Sequence, residues 1–158
     1  MPVFQWNQNY SVGVAAMDAE HKRLVELTNG LYEAMAAGKA GDIMDAVIDD
    51  LVDYTRVHFR HEEDLMERHG YPKLAEQQKA HRDFVARVEA LAAEVRNKKT
   101  GLVLRTADFL KKWLVGHIQG MDREYSAYFA ARGVKFTPRA ASASMWGVCS
   151  AGWPVQDR

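Results

Sequence analysis

Apolar residues recur at intervals of three and four between residues 18 and 132, in four segments separated by short polar stretches. This spacing places the apolar side chains of each segment on one face of an α-helix. The separating stretches are AAGKAGD (36–42), HGYPK (69–73) and NKKTG (97–101), and each contains turn-forming residues. Because short turns make consecutive helices antiparallel neighbours, the pattern predicts an all-α protein with an antiparallel up-down four-helix bundle.

Each predicted helix has one apolar stripe, which we expect to face the core. Asp18 is the predicted N-cap of the first helix, and Pro72 lies near the first turn of the third. In helix order, the stripe residues are Met17, Val25, Thr28, Tyr32 and Met35; Met44, Val47, Leu51, Tyr54 and Leu65; Leu74, Phe84, Val88, Leu91 and Val95; Val103, Ala107, Leu110, Leu114 and Met121.

The two ends of the chain differ from the bundle in composition. Residues 1–17 include Phe4, Trp6, Tyr10 and Val14, and we expect this segment to form an arm packed on the bundle of residues 18–133. Residues 134–158 are rich in Ala, Ser and Gly and show no periodicity. This predicts a flexible low-complexity appendage, with Trp146 and Trp153 as candidate contacts for a protein partner.

Charge and cysteine content exclude several classes of function. The 158 residues carry 21 Lys and Arg against 21 Asp and Glu, so no net charge attracts nucleic acid or an anionic membrane. No apolar run approaches the roughly 20 residues that span a bilayer. The single Cys149 cannot form an intrachain disulfide, and the N-terminus lacks the pattern of a signal peptide. These features predict a cytoplasmic location.

The stretch RVHFRHEEDLMERHG (56–70) places a histidine and a glutamate, both of which can bind metals, in the core stripe. His58 and Glu62 lie about 40° apart and one turn apart on a helix, in line with Leu51 and Tyr54. A carboxylate in an apolar stripe costs several kcal/mol unless it is protonated, paired or bound to a metal. Glu62 therefore needs a partner.

The other three helices each direct a histidine inward as well. His21, His81 and His117 fall within the apolar stripes of the first, third and fourth helices. One inward histidine is ordinary, but four together with a buried glutamate favour iron, manganese or zinc. The absence of inward cysteines argues against structural zinc and iron–sulfur clusters. We expect the remaining polar residues of the stretch to be solvated or to form its turn: His61, Glu63, Asp64 and His69.

These motifs, in this order, resemble the hemerythrin family, and in particular its bacterial single-domain members. The resemblance covers about residues 3–132. It is carried by Trp6 and the VGV that follows it (12–14), MDAEH ending at His21, HFRHEE from His58, the GYP turn, AHRDF around His81 and WLVGHIQGMD from Trp113.

The resemblance implies a non-haem diiron protein that binds O2 reversibly, as a carrier, store or sensor. His21 and His58 would hold the iron that binds O2, and His81 and His117 the other. Glu62 and Asp122 would bridge the two irons, together with an oxo or hydroxo group. The wall of the ligand pocket would be formed by Phe59, Trp113, Leu114 and Tyr125.

Gln77 departs from the family pattern, which has a third histidine of the second iron at this position. It lies one turn before His81 in the same stripe and so points at the site. An amide oxygen is a weaker ligand than imidazole. Gln77 could ligate weakly, hold a water in the vacant position or leave that position open. This departure suggests one alternative function, a peroxidase-like enzyme that processes an oxidant. A second alternative is an iron-holding or signalling module whose tail recruits a partner.

Asp122 does not fit a regular helix. Five residues after His117 it would be rotated by about 140°, away from the inner face. A widening towards π-type turns would bring it back to within about 50° of His117, and such bulges are frequent at functional sites. The ligand assignment therefore predicts an irregularity between residues 117 and 122.

Overall fold

The computed structural model describes residues 4–38, 42–97 and 102–134, which form long helices joined by short turns. The helices are α1 (Ala15–Ala36), α2 (Asp42–Arg68), α3 (Leu74–Arg96) and α4 (Leu102–His117). Helices α1 and α3 each pack against both α2 and α4. The described residues contain no strand. The predicted all-α four-helix bundle is confirmed.

The fourth helix contains the predicted irregularity. A π-helical segment, Ile118–Asp122, follows α4 directly, and a further helix, α5 (Arg123–Ala131), continues from it. The widened turn lies between His117 and Asp122, so the prediction of a π-type bulge at this point is confirmed.

The predicted stripes form most of the core. Leu51, Phe84, Val88, Leu110 and Leu114 are all buried. Several other stripe residues are half-buried and pack against that core, namely Met35, Val47, Tyr54, Leu65 and Val95. The side chains of the stripe residues Met44 and Val103 lie outside the described part of the chain.

The first helix begins earlier than predicted. Its first residue is Ala15, after Val14, so the prediction of Asp18 as the N-cap is wrong. Asp18 instead lies in the first turn, where its carboxylate accepts hydrogen bonds from Ser11 Oγ at 2.6 Å and Val12 N at 2.8 Å. The carboxylate therefore fastens the preceding segment to the helix start, where negative charge is favourable.

The N-terminal segment packs on the bundle. Phe4, Val12 and Val14 are buried in the main core. The side chain of Asn29 on α1 holds the segment through two hydrogen bonds, because Phe4 N donates to its Oδ1 at 2.9 Å and its Nδ2 donates to Phe4 O at 2.7 Å.

Replacing Asn29 by Ala is expected to lower the free energy of unfolding by about 2 kcal/mol, since two hydrogen bonds are lost and the backbone of Phe4 is left unpaired. Urea unfolding followed by circular dichroism measures this change. Asn7→Ala is the matched control, because Asn7 accepts only a local hydrogen bond from Asn9 N. Equal effects of the two substitutions would contradict the role of Asn29.

Residues 135–158, including Cys149, Trp146 and Trp153, lie outside the described residues. The division into arm, bundle and tail therefore stays a prediction. Among the described residues no helix is both long enough and apolar enough to cross a membrane.

Candidate metal centre

All four helices of the bundle contribute side chains to one polar cluster inside the core. Its members are 0–6% exposed, and we call them the central cluster: His21, His58, Glu62, Gln77, His81, His117 and Asp122. Their potential ligand atoms form two groups, each within 4.8 Å, one of His21, His58 and Glu62 and one of Glu62, His81, His117 and Asp122. The structure therefore brings together every predicted metal-binding residue.

Glu62 belongs to both groups. Its Oε1 lies 3.4 Å from His21 Nε2, and its Oε2 lies 3.4 Å from His81 Nε2 and 3.6 Å from His58 Nε2. A carboxylate that faces histidines from three helices is placed to bridge two metal ions.

Asp122 is arranged in the same way. Its Oδ2 lies 3.5 Å from His21 Nε2, and its Oδ1 lies 3.1 Å from His117 Nε2. On a regular helix the side chain would be rotated about 140° from that of His117. The π-helical segment removes this mismatch, and Asp122 is fully buried in the centre.

The carboxylates and imidazoles shift one another's pKa values. Burial alone would lower the pKa of His21, but Asp122 and Glu62 outweigh it and raise this pKa from 6.5 to about 10. The contacts at 3.4 and 3.5 Å are long for hydrogen bonds, so we attribute the rise mainly to charge. Burial would raise the pKa of Glu62, but His58, His21 and His81 hold it well below its usual value. Without metal, a proton on His21 thus offsets part of the carboxylate charge, and a bound cation would replace it.

Several buried polar atoms in the central cluster have no hydrogen-bond partner. They are both ring nitrogens of His21, Glu62 Oε2, Gln77 Oε1 and Asp122 Oδ2. Leaving such atoms unpaired in a protein interior costs about 1–3 kcal/mol each. Imidazole and carboxylate donors suit iron, manganese and zinc. The residues present therefore fit a two-metal centre, in which the unpaired atoms would find their partners.

Gln77 points into the cluster, as predicted. Its Nε2 donates to Asp122 Oδ1 at 3.3 Å, and its Oε1 is unpaired. Each of the two groups of potential ligand atoms thus contains two histidines and Glu62, and Asp122 faces a histidine of each group. The Gln77 side chain lies beside Asp122.

Aromatic rings cover one side of the cluster. Phe59 stacks on His81 with ring centroids 3.8 Å apart, and Trp113 stacks on His117 at 4.2 Å. Leu114 is buried in the same apolar core. These three predicted pocket residues line one small cavity, and two of them, Phe59 and Trp113, also stack on histidines of the cluster.

Tyr125 contacts the central cluster from a different group of apolar residues. It packs in a second apolar cluster with Met66, Tyr71 and Phe129, and its hydroxyl donates to Glu62 Oε1 at 2.7 Å. Burial, followed by the charges of Glu62 and Asp122, raises its pKa well above 10. The neutral hydroxyl is therefore a permanent donor to the bridging carboxylate.

Two carboxylates that the sequence did not indicate contact the histidines from outside the cluster. Glu20 Oε2 lies 2.8 Å from His58 Nδ1, and Glu63 Oε1 lies 2.8 Å from His81 Nδ1. The expectation of a solvated role is wrong for Glu63. His61, also expected to be solvated, is 41% exposed, and its Nδ1 lies 2.7 Å from Glu20 Oε1.

Comparisons with known proteins agree with this fold and centre. The model of the hemerythrin HHE cation binding domain matches residues 12–129. The bacteriohemerythrin of Stenotrophomonas maltophilia is 34% identical over 127 residues, which cover 80% of this chain and 81% of that protein. The myohemerythrin of Riftia pachyptila is 32% identical over 122 residues, covering 77% and 90%. A crystal structure of wild-type hemerythrin superposes with a TM-score of 0.71 at 26% identity, covering 79% of this chain and 96% of that one.

The fold and the site together define a helical-bundle metalloprotein whose buried centre consists of histidines and carboxylates. The family model spans most of the bundle, and several relatives above 30% identity are covered over most of their length. The chain belongs to the hemerythrin family.

Proposed function

We propose that this protein binds O2 reversibly at a pair of iron ions held by the central cluster. His21 and His58 would hold the first ion, His81 and His117 the second, with Glu62 and Asp122 shared between them. The observation that carries the proposal is the paired orientation of the two buried carboxylates, each of which faces histidines of both positions. The bacteriohemerythrin and myohemerythrin relatives support the choice of iron and O2.

Two ferrous ions held side by side by the central cluster would supply the two electrons that reversible O2 binding requires. The protein contributes negative charge, fixes the orientation of the ligand side chains and excludes water from the centre. Glu62 and Asp122 neutralise half of the positive charge of two divalent ions inside the core. Tyr125 keeps Glu62 in place through its hydroxyl. No general acid or base is required for binding alone.

The neighbouring apolar layer excludes water from the centre. A cavity of about 10 Å³ is lined by side chains of all four helices, among them Leu24, Leu51, Phe59, Phe84 and Leu114. This is close to the minimum volume that one water molecule needs.

Two threonines also line this cavity, but their hydroxyl groups are already hydrogen-bonded elsewhere. The hydroxyls of Thr28 and Thr55 donate to the backbone carbonyls of Leu24 and Leu51, respectively. Since a water needs two to four polar partners, the cavity favours a small apolar molecule over water.

Gln77 is proposed to direct its amide oxygen at the second metal position. The support is that Oε1 is buried and unpaired while Nε2 is engaged with Asp122. An amide oxygen is a weaker donor than imidazole, so the second position is expected to bind its ion less tightly than a three-histidine site.

The test is anaerobic reconstitution with ferrous iron, followed by iron counting and visible spectra in air and after O2 is removed. Two irons per chain and a colour that appears and disappears reversibly are expected. One iron per chain would contradict the two-metal assignment, and rapid irreversible oxidation would contradict reversible binding.

Neither the site nor the comparisons favour the alternatives of a peroxidase-like enzyme or an iron-holding signalling module. A cytoplasmic location and the absence of a nucleic-acid partner are also proposed. They rest on the single Cys149 and on the equal numbers of acidic and basic residues.

A further inference from the structure

Two of the four central histidines are held by carboxylates outside the metal-binding set. Glu20 Oε2 lies 2.8 Å from Nδ1 of His58, and Glu63 Oε1 lies 2.8 Å from Nδ1 of His81. Both carboxylates are partly buried, at 20% and 27% exposure, whereas the two histidines are almost completely buried. Each contact therefore joins a buried ring to the edge of the bundle.

The sequence positions of these carboxylates explain how they reach the histidines. Glu20 precedes His21 on α1, and Glu63 follows Glu62 on α2. One residue corresponds to a rotation of about 100°, so a neighbour of an inward side chain points sideways towards the next helix. Glu20 thus reaches from α1 to α2, and Glu63 reaches from α2 to α3.

The contacts determine which ring nitrogen faces the centre. An ionised carboxylate can only accept hydrogen bonds, so Nδ1 of His58 and of His81 must carry the proton. In the neutral ring that metal binding requires, the lone pair is then on Nε2. In both rings Nε2 faces Glu62 Oε2, at 3.6 and 3.4 Å. By contrast, neither ring nitrogen of His21 is hydrogen-bonded within the described residues.

We propose that Glu20 and Glu63 are positioning residues of the metal centre, one for each metal position. Glu20 holds His58 for the first ion, and Glu63 holds His81 for the second. Each fixes the ring orientation and the tautomer and makes Nε2 a stronger donor. Glu20 is itself anchored, because its Oε1 lies 2.7 Å from Nδ1 of the half-exposed His61. The inference rests on the proposed two-metal site.

The test compares Glu20→Gln and Glu63→Gln with the wild-type chain. Affinities for Zn²⁺ at the two positions are measured by chelator competition, and the midpoint potential is measured for the iron-loaded proteins. Each substitution is expected to weaken one position by about 10–100-fold and to shift the potential to more positive values, because a negative charge beside a ligand is lost. Thermal unfolding of the metal-free proteins shows whether the fold is unchanged.

Matched controls remove a charge from the same helices without touching a histidine of the centre. Glu26→Gln on α1 replaces an exposed carboxylate that pairs with Arg23, and Asp64→Asn replaces the exposed neighbour of Glu63. Both controls are expected to bind Zn²⁺ as the wild type does. Restoration of affinity in Glu20→Asp relative to Glu20→Gln would add support for the role of the charge.

The outcomes separate this inference from the proposed function. If wild-type protein binds two metal ions and both Gln variants match it in affinity and potential, the positioning role is overturned. If wild-type protein fails to bind a second ion, the two-metal site itself is wrong. If Zn²⁺ binding responds as expected but the iron form does not bind O2, only the proposed function fails.

Discussion

Glu62→Gln is expected to abolish metal binding at both positions, from two ions per chain to almost none. Glu62 is fully buried and is the one residue shared by the two groups of potential ligands in the described chain. The substitution removes its negative charge and replaces one bridging oxygen by an amide nitrogen, which cannot ligate. Elemental analysis after anaerobic loading and desalting measures the change.

Glu67→Gln provides the control, because Glu67 is an exposed carboxylate on the same helix. It should retain two ions per chain. Substitution of His117 by Ala distinguishes a shared ligand from a single-position ligand, since it is expected to remove only the second ion. Full loading of the Glu62 variant would refute the bridging assignment.

Gln77→His is expected to strengthen binding of the second ion by about tenfold or more, which corresponds to at least 1.4 kcal/mol. The new imidazole would lie one turn before His81 on the same face of α3. It replaces an amide oxygen by a stronger nitrogen donor. Chelator competition that resolves the two positions measures the affinity for the second ion. Mössbauer spectra of the iron form report the changed environment of one iron.

Gln77→Leu tests whether the Gln77 side chain contacts the second metal ion directly. Leucine has a similar volume but neither donates to Asp122 nor offers an oxygen to a metal. If Gln77 ligates the second ion, the Leu variant should bind that ion more weakly than the wild type. An affinity equal to that of the wild type, together with no gain in the His variant, would show that position 77 does not contact the metal.

The sequence by itself determined the helices and the direction of most of their polar side chains. The spacing of Leu51, His58 and Glu62 defines one face of α2, and the same reasoning placed His81 and Gln77 on one face of α3. Periodicity succeeds here because side-chain direction on a regular helix depends only on residue number. Even the inward direction of Asp122 could be predicted. Its assigned role as a metal ligand conflicted with its angle of about 140° from His117 on a regular helix, and only a bulge would remove that conflict.

Only the tertiary structure decided which atoms meet. That Glu62 faces His21 and His81, and that Glu20 and Glu63 hold histidines on neighbouring helices, depends on the axial register and rotation of packed helices. Periodicity within one helix contains no information about that register. Glu63 therefore resembled a solvated residue in the sequence, and the sequence did not indicate that the hydroxyl of Tyr125 donates to Glu62. Packing between helices is a property of the whole core, whereas the direction of a side chain is a property of its own helix.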